Sequence, residues 1–133
     1  MSGVDTNLLV RWLIDDDEKQ SSLVQSVLES ARRRHATLFV PNTVTLELEW
    51  VLRSRYQLGK ADILAAFNGL LDSREIEFQD EAALERALTH YRDGAAEFAD
   101  CMHSGICAAM ERSPLLTFDK LAARLPGVEL LAG

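Results

Sequence analysis

No apolar run in this chain approaches the roughly 18–20 residues that a helix needs to cross a bilayer, so a membrane span is not expected. Nor does the N-terminus show a basic stretch followed by an apolar block, the pattern of a secretory leader. Cysteine is scarce. Cys101 and Cys107 make up the whole complement, six residues apart in a helix-like segment. This excludes a disulfide framework and fits reduced thiols in a cytoplasmic protein. The 3 prolines and 7 glycines form no linker, and no repeat or low-complexity segment divides the chain. Residues 1–133 therefore read as a single domain.

Positive charge is also in deficit. There are 14 Lys and Arg against 21 Asp and Glu, a net charge of −7. Taken alone, this argues against a nucleic-acid partner, since phosphate binders usually present a basic surface. It fits a basic protein partner, or a site where carboxylates gather around a divalent cation.

What is present is a hydrophobic content of 47%, arranged as short β-like runs alternating with helical patterns. Gly3-Val4-Asp5 reads as a buried strand entering a helix near Thr6-Asn7. Asp15-Asp16-Asp17 is a loop able to cap a helix from Glu18 to Arg34, whose apolar stripe is Leu23, Val24, Val27, Leu28 and Ala31. Thr37–Val40 is a strand ended by Pro41; Asn42 or Thr43 caps a helix to about Tyr56, and Gly59 suits its C-cap. Further elements follow: a helix over Lys60–Leu71, a strand over Glu75–Phe78, a helix over Glu81–Arg92 capped by Asp80, and a helix over Ala96–Glu111. The chain closes with a strand over Leu115–Thr117, a short helix over Lys120–Arg124 and a strand over Val128–Leu131. This alternation predicts an α/β fold with a central, mainly parallel sheet. In such folds the chemistry gathers beyond the carboxyl ends of the strands, which is where Asp5 and Asp119 fall.

Most acids need no explanation beyond solvated faces and caps. In VTLELEWVLRSRY, Glu49 has Arg53 four residues on, a favourable surface pair. Glu47 has Val44 and Val51 at helical spacing and no base at i±3 or i±4, so it is expected on the core-facing stripe and Glu49 off it. A buried carboxylate costs several kcal/mol on an order-of-magnitude basis, which a cation would offset. The bland alternative is a Glu that reaches water at the stripe edge. In AAEFADCMHSGICAAM, Glu97 and Asp100 share a helix face beside the apolar stripe of Phe98, Met102, Ile106 and Met110. For Glu97, a favourable place in the first helical turn is sufficient reason. Asp119, alone, is most simply an N-cap. Together these carboxylates form an oxygen-only set, which suits Mg²⁺ or Mn²⁺ and phosphoryl chemistry. Such an ion also removes the objection from net charge.

The segments GVDTNLLVRWL, VTLELEWVLRSRY, EFADCMHSGIC and LLTFDKLAARLPGVELL resemble a PIN-domain ribonuclease, and most nearly the VapC toxins of bacterial toxin–antitoxin pairs. The resemblance covers essentially the whole chain. It implies a three-layer α/β/α sandwich, a homodimer, and Mg²⁺- or Mn²⁺-dependent cleavage of RNA by metal-activated water. The products would carry 5′-phosphate and 3′-hydroxyl ends. It further implies inhibition by a VapB-type antitoxin. The family's acids fall on Asp5, Glu47, Asp100 and Asp119, with Asp5 and Asp100 as main metal ligands. Glu47 would bind metal or orient water, and Asp119 would bind a second metal or its water. Many relatives have Asp at the position of Glu97, which leaves open whether Glu97 reaches the metal. Cys101-Met102-His103 replace the common Ala-Leu-Ile and are expected to alter the wall of the site. Asn7 and Thr117 are expected to support the ligands or contact substrate. Arg11, Arg53, Arg55 and the run Arg32–Arg34 are candidate phosphate contacts, although the run also suits a solvated helix C-terminus.

Two other functional classes compete. One is a phosphatase-like hydrolase with Asp5 as nucleophile, which usually has a second Asp where this chain has Asn7. The other is a catalytically silent PIN-like binding module. A zinc site at Cys101, His103 and Cys107 is disfavoured, because His103 lies off the Cys stripe and no fourth ligand is near. His90-Tyr91, Trp12 and Trp50 read as packing residues.

Overall fold

The computed structural model describes residues 2–14 and 16–132. The chain divides into two compact units, Met1–Gln79 and Asp80–Gly133.

In the first unit, β1 (Ser2–Gly3), β2 (Leu38–Val40) and β3 (Ile76–Phe78) form a parallel sheet in that order. Register pairs Gly3 with Phe39 and Val40 with Phe78. β1 is shorter than expected, yet the Val4 amide still donates to the Phe39 carbonyl at 2.9 Å, so the ladder ends one residue before Asp5. Between the strands run α1 (Thr6–Leu13), α2 (Glu18–Arg34), α3 (Asn42–Ser54) and α4 (Lys60–Leu71). Asp17 caps α2 by accepting the Gln20 amide at 3.0 Å, as the acidic loop predicted; Asp15 of that loop lies outside the described residues. His35, at φ 51°, closes α2 in the left-handed region. Val24, Leu28 and Ala31 are buried, but Leu23 and Val27 are exposed, because the buried stripe of α2 is narrower than the apolar stripe.

Two caps differ from expectation. Neither Asn42 nor Thr43 caps α3: its N-cap is Pro41, and the free Asn42 amide donates to Gln79 Oε1 at 2.9 Å. A side chain 37 residues away thus meets a need usually met locally. Gly59 begins α4 instead of ending α3, whose C-cap is Arg55. The left-handed turn in between is taken by Gln57 at φ 54°. The core of this unit includes Leu9, Val40, Leu48, Leu52, Ile63 and Phe67, all without solvent exposure. Each contributes about 1.5–3 kcal/mol by burial.

The second unit holds α5 (Glu81–Asp93), α6 (Phe98–Ala109), β4 (Leu115–Thr117) and β5 (Val128–Leu130), with a 3₁₀ turn at Ala122–Arg124. Asp80 caps α5 through the Ala83 amide at 3.2 Å, as predicted. β4 and β5 pair in parallel, Leu115 beside Val128 and Thr117 beside Leu130. Helices α5 and α6 approach closely at Gly105, where a Cβ would lie 2.7 Å from the Ala83 carbonyl oxygen. Tyr91 and Phe98 meet edge to face at 5.3 Å, which bears out the packing role of Tyr91. Every strand pair described is parallel, as the alternation of elements predicted.

Candidate functional site

Asp5 stands between β1 and α1, and both neighbours determine its setting. Its extended backbone ends the strand, and its Oδ1 caps the helix by accepting the Leu8 amide at 3.0 Å. The side chain is exposed. The next residue, Thr6, is buried, and its hydroxyl donates to Oε1 of Glu47 on α3. Residues 5 and 47 are thereby drawn to one locality of the first unit through Thr6. The second oxygens of Asp5 and Glu47 have no hydrogen-bond partner among the described residues.

The helix-face assignment on α3 is reversed. Glu47 is exposed, whereas Glu49 is 4% exposed. The buried positions are Thr45, Leu48, Glu49, Val51 and Leu52, so the stripe is centred on 45, 48 and 52, and Val44 sits at its border. Glu49 falls inside it. Arg53 neutralises Glu49 through Nε–Oε2 at 2.8 Å and Nη2–Oε1 at 3.4 Å. The anticipated i,i+4 pair is present, but its acid is buried, not at the surface.

In the second unit, Asp100 lies in the first turn of α6, half-buried, and its side chain has no hydrogen-bond or ion-pair partner among the described residues. The helix N-terminus favours a negative charge there. Glu97 is the N-cap residue, exposed, with no side-chain capping bond. Asp119 does act as a cap: its Oδ1 accepts the amides of Leu121 at 2.8 Å and Ala122 at 3.1 Å. Thr117 holds it from the other side, since the Asp119 amide donates to the Thr117 hydroxyl at 3.0 Å. Thr117 thus supports a candidate ligand through its backbone. Cys101 is buried and Cys107 half-buried, and neither is part of a disulfide. Ser104, buried on the same helix, donates to the Pro126 carbonyl at 3.2 Å.

Several basic and aromatic expectations change. Arg11 is held by Asp16 and donates to Gln20 Oε1 at 2.6 Å, so it is tied to the start of α2. Arg53 belongs to Glu49, and Arg32 to Glu75. Trp50 is half-exposed, with the Arg55 guanidinium 5.9 Å from its ring centre, so it is not a core residue. Asn7 is exposed and lines a cavity of about 210 Å³ with Leu8, Arg11, Gln20, Leu23 and Val27.

Sequence reasoning missed Thr6. Its signal was a hydroxyl in the first turn of an apolar helix, directly after the strand-end acid. Within either unit, no group of three or more His, Cys, Asp and Glu side chains is gathered to hold a metal among the described residues. The donor chemistry nonetheless fits a hard divalent cation: Asp5, Glu47, Asp100 and Asp119 offer carboxylate oxygen alone. For Asp5, Glu47 and Asp119, only one side-chain oxygen is engaged by a protein donor among the described residues.

The sequence matches the PIN-domain family over residues 4–128, which spans both units. The chain belongs to the PIN-domain family. With membership comes the fold class expected from the sequence, the three-layer α/β/α sandwich. This PIN domain is similar to a VapC ribonuclease of Aquifex aeolicus (strain VF5), with 24% identity over 125 residues. That match covers 94% of this chain and 92% of the relative. No helix of this PIN domain is long and apolar enough, among its described residues, to cross a membrane.

Proposed function

We propose that this PIN domain is a Mg²⁺- or Mn²⁺-dependent endoribonuclease, the toxin of a type II toxin–antitoxin pair. The observation that carries the reading is the match to a VapC ribonuclease along 94% of the chain. The chemistry of the acids supports it. Asp5 and Asp100 would be the main ligands of the ion, with Asp119, Glu47 and Glu97 as further candidates. When bound, the cation supplies charge neutralisation at the phosphate oxygens and activation of water.

The chain's own residues do the rest. Glu47 has Oε1 fixed by Thr6, and its other oxygen, which has no hydrogen-bond partner among the described residues, would orient the attacking water and take its proton. Water oxygen bonds to phosphorus, the P–O3′ bond breaks, and the departing O3′ takes a proton from solvent, leaving 5′-phosphate and 3′-hydroxyl ends. Asp119 and Asp5 are held by backbone amides, so little ordering is needed when substrate arrives. The proposal includes one working domain over residues 1–133, a homodimer, a cytoplasmic setting and a VapB-type antitoxin. The test compares cleavage of RNA with Mg²⁺ or Mn²⁺, with chelator, and by Asp5→Asn with metal. Cleavage is expected in the first case only; equal cleavage in all three overturns the reading.

A further inference from the structure

Phe118 is 80% exposed, the most exposed large apolar side chain among the described residues. A phenylalanine left in water forgoes the stabilisation that its burial would bring. Its backbone, by contrast, is closely held. On one side the Thr117 carbonyl accepts the Leu131 amide at 2.7 Å, and the Thr117 hydroxyl accepts the Asp119 amide at 3.0 Å. On the other, Asp119 Oδ1 accepts the Leu121 and Ala122 amides. The ring is therefore presented on a pinned turn, one residue before an acid of the proposed site. One residue after that acid comes Lys120, exposed and without an ion-pair partner among the described residues.

We propose that Phe118 is a stacking platform for one unpaired base of the RNA substrate, with Lys120 beside it contacting a phosphate. This rests on the nuclease reading and adds a substrate-contact residue to it. Single strands are bound by aromatic faces for bases together with cations for the backbone, and every base has a π face. A turn whose backbone is already ordered has less loop entropy to lose on binding. Phe118 and Lys120 bring both elements to either side of Asp119. Leu116 and Leu121 are exposed nearby, at 56% and 42%, so an apolar protein surface or a second copy of the chain is the rival occupant.

The experiment measures binding of a short single-stranded RNA by fluorescence anisotropy in an Asp5→Asn background, with Mg²⁺ present, so that nothing is cleaved. A matched oligonucleotide with abasic sugars serves as the probe of backbone binding alone. Phe118→Ala is expected to weaken the base-containing RNA by about 5- to 150-fold and the abasic one hardly at all. Phe118→Trp should retain binding, whereas Phe118→Leu should lose it, because stacking needs a ring and not merely apolar area. Lys120→Ala should weaken both oligonucleotides alike and lessen the salt dependence. Equal binding of both RNAs by Phe118→Ala and its parent overturns the inference, as does loss of self-association with RNA binding intact. Cleavage by the otherwise native chain, assayed in parallel, separates the two failures. If it cleaves while Phe118 has no effect, only the inference falls; if it neither binds nor cleaves RNA, the nuclease reading falls with it.

Discussion

The Thr6 hydroxyl donates to the Glu47 carboxylate across 41 residues, from the first turn of α1 to the middle of α3. Thr6 is 5% exposed, so the bond is anchored at the donor end while the acid reaches the surface. Replacing Thr6 by the isosteric Val removes the donor and keeps the volume. Thr6→Val is expected to cost about 1–3 kcal/mol of stability and to lower turnover of RNA more than tenfold, whereas Thr6→Ser retains both. A Thr6→Val enzyme with native turnover per folded molecule would show that the bond is structural only.

Glu47→Gln and Glu49→Gln should separate function from stability. Glu49 is buried against Arg53, so its neutral form leaves a weaker pair and costs about 1–2 kcal/mol, moderated because Arg53 is half-exposed. Its activity, corrected for the folded fraction, should be native. Glu47→Gln should lose activity with little change in urea midpoint. The reverse pattern contradicts the assignment of Glu47 as the working acid.

Metal binding should be visible without catalysis. Mg²⁺ or Mn²⁺ is expected to raise Tm with concentration, by an amount equivalent to about 2.7 kcal/mol at a hundred times Kd. Asp5→Asn should blunt that rise. In metal-free buffer its stability should stay within about 0.5 kcal/mol of native, since Asn caps a helix as well as Asp. An undiminished metal response in Asp5→Asn argues against Asp5 as a ligand.

Gly105 permits close approach of α6 to the Ala83 carbonyl. Helix propensity alone would make Gly105→Ala stabilising by about 1 kcal/mol. The 2.7 Å contact with backbone outweighs this. The expected outcome is a net loss of about 1–2 kcal/mol in chemical unfolding, since overpacking costs about 1–3 kcal/mol. A more stable Gly105→Ala would mean that the helices can part without penalty.

The hydrogen bond from Arg32 holds the Glu75 carboxyl below its usual 4.5, with the nearby positive charges adding to it. A carboxyl depressed in the folded state gives stability that is present above 4.5 and lost as pH falls through the lower folded value. Arg32→Met should therefore flatten the acid limb of the stability profile below pH 4.5 and leave its neutral part nearly parallel to native. Superimposable acid limbs would exclude the pair as a source of pH dependence.

The sequence by itself determined the succession of elements, because that information is local. Acidic caps at Asp17 and Asp80, the limits of α2 and α4, and the strand at Leu115–Thr117 follow from side chains within a few residues of each other. The strand-end position of Asp5 and the capping role of Asp119 were legible for the same reason. Tertiary structure decided what depends on distant partners. Glu49 is buried and Glu47 exposed because the stripe of α3 is set by what packs on it, and one residue moves a helical side chain by about 100°. Gln79 satisfies the first amide of α3, and Thr6 fixes Glu47, through contacts 37 and 41 residues long. No local period encodes such pairings. They arise only when buried polar groups must find partners in a folded chain.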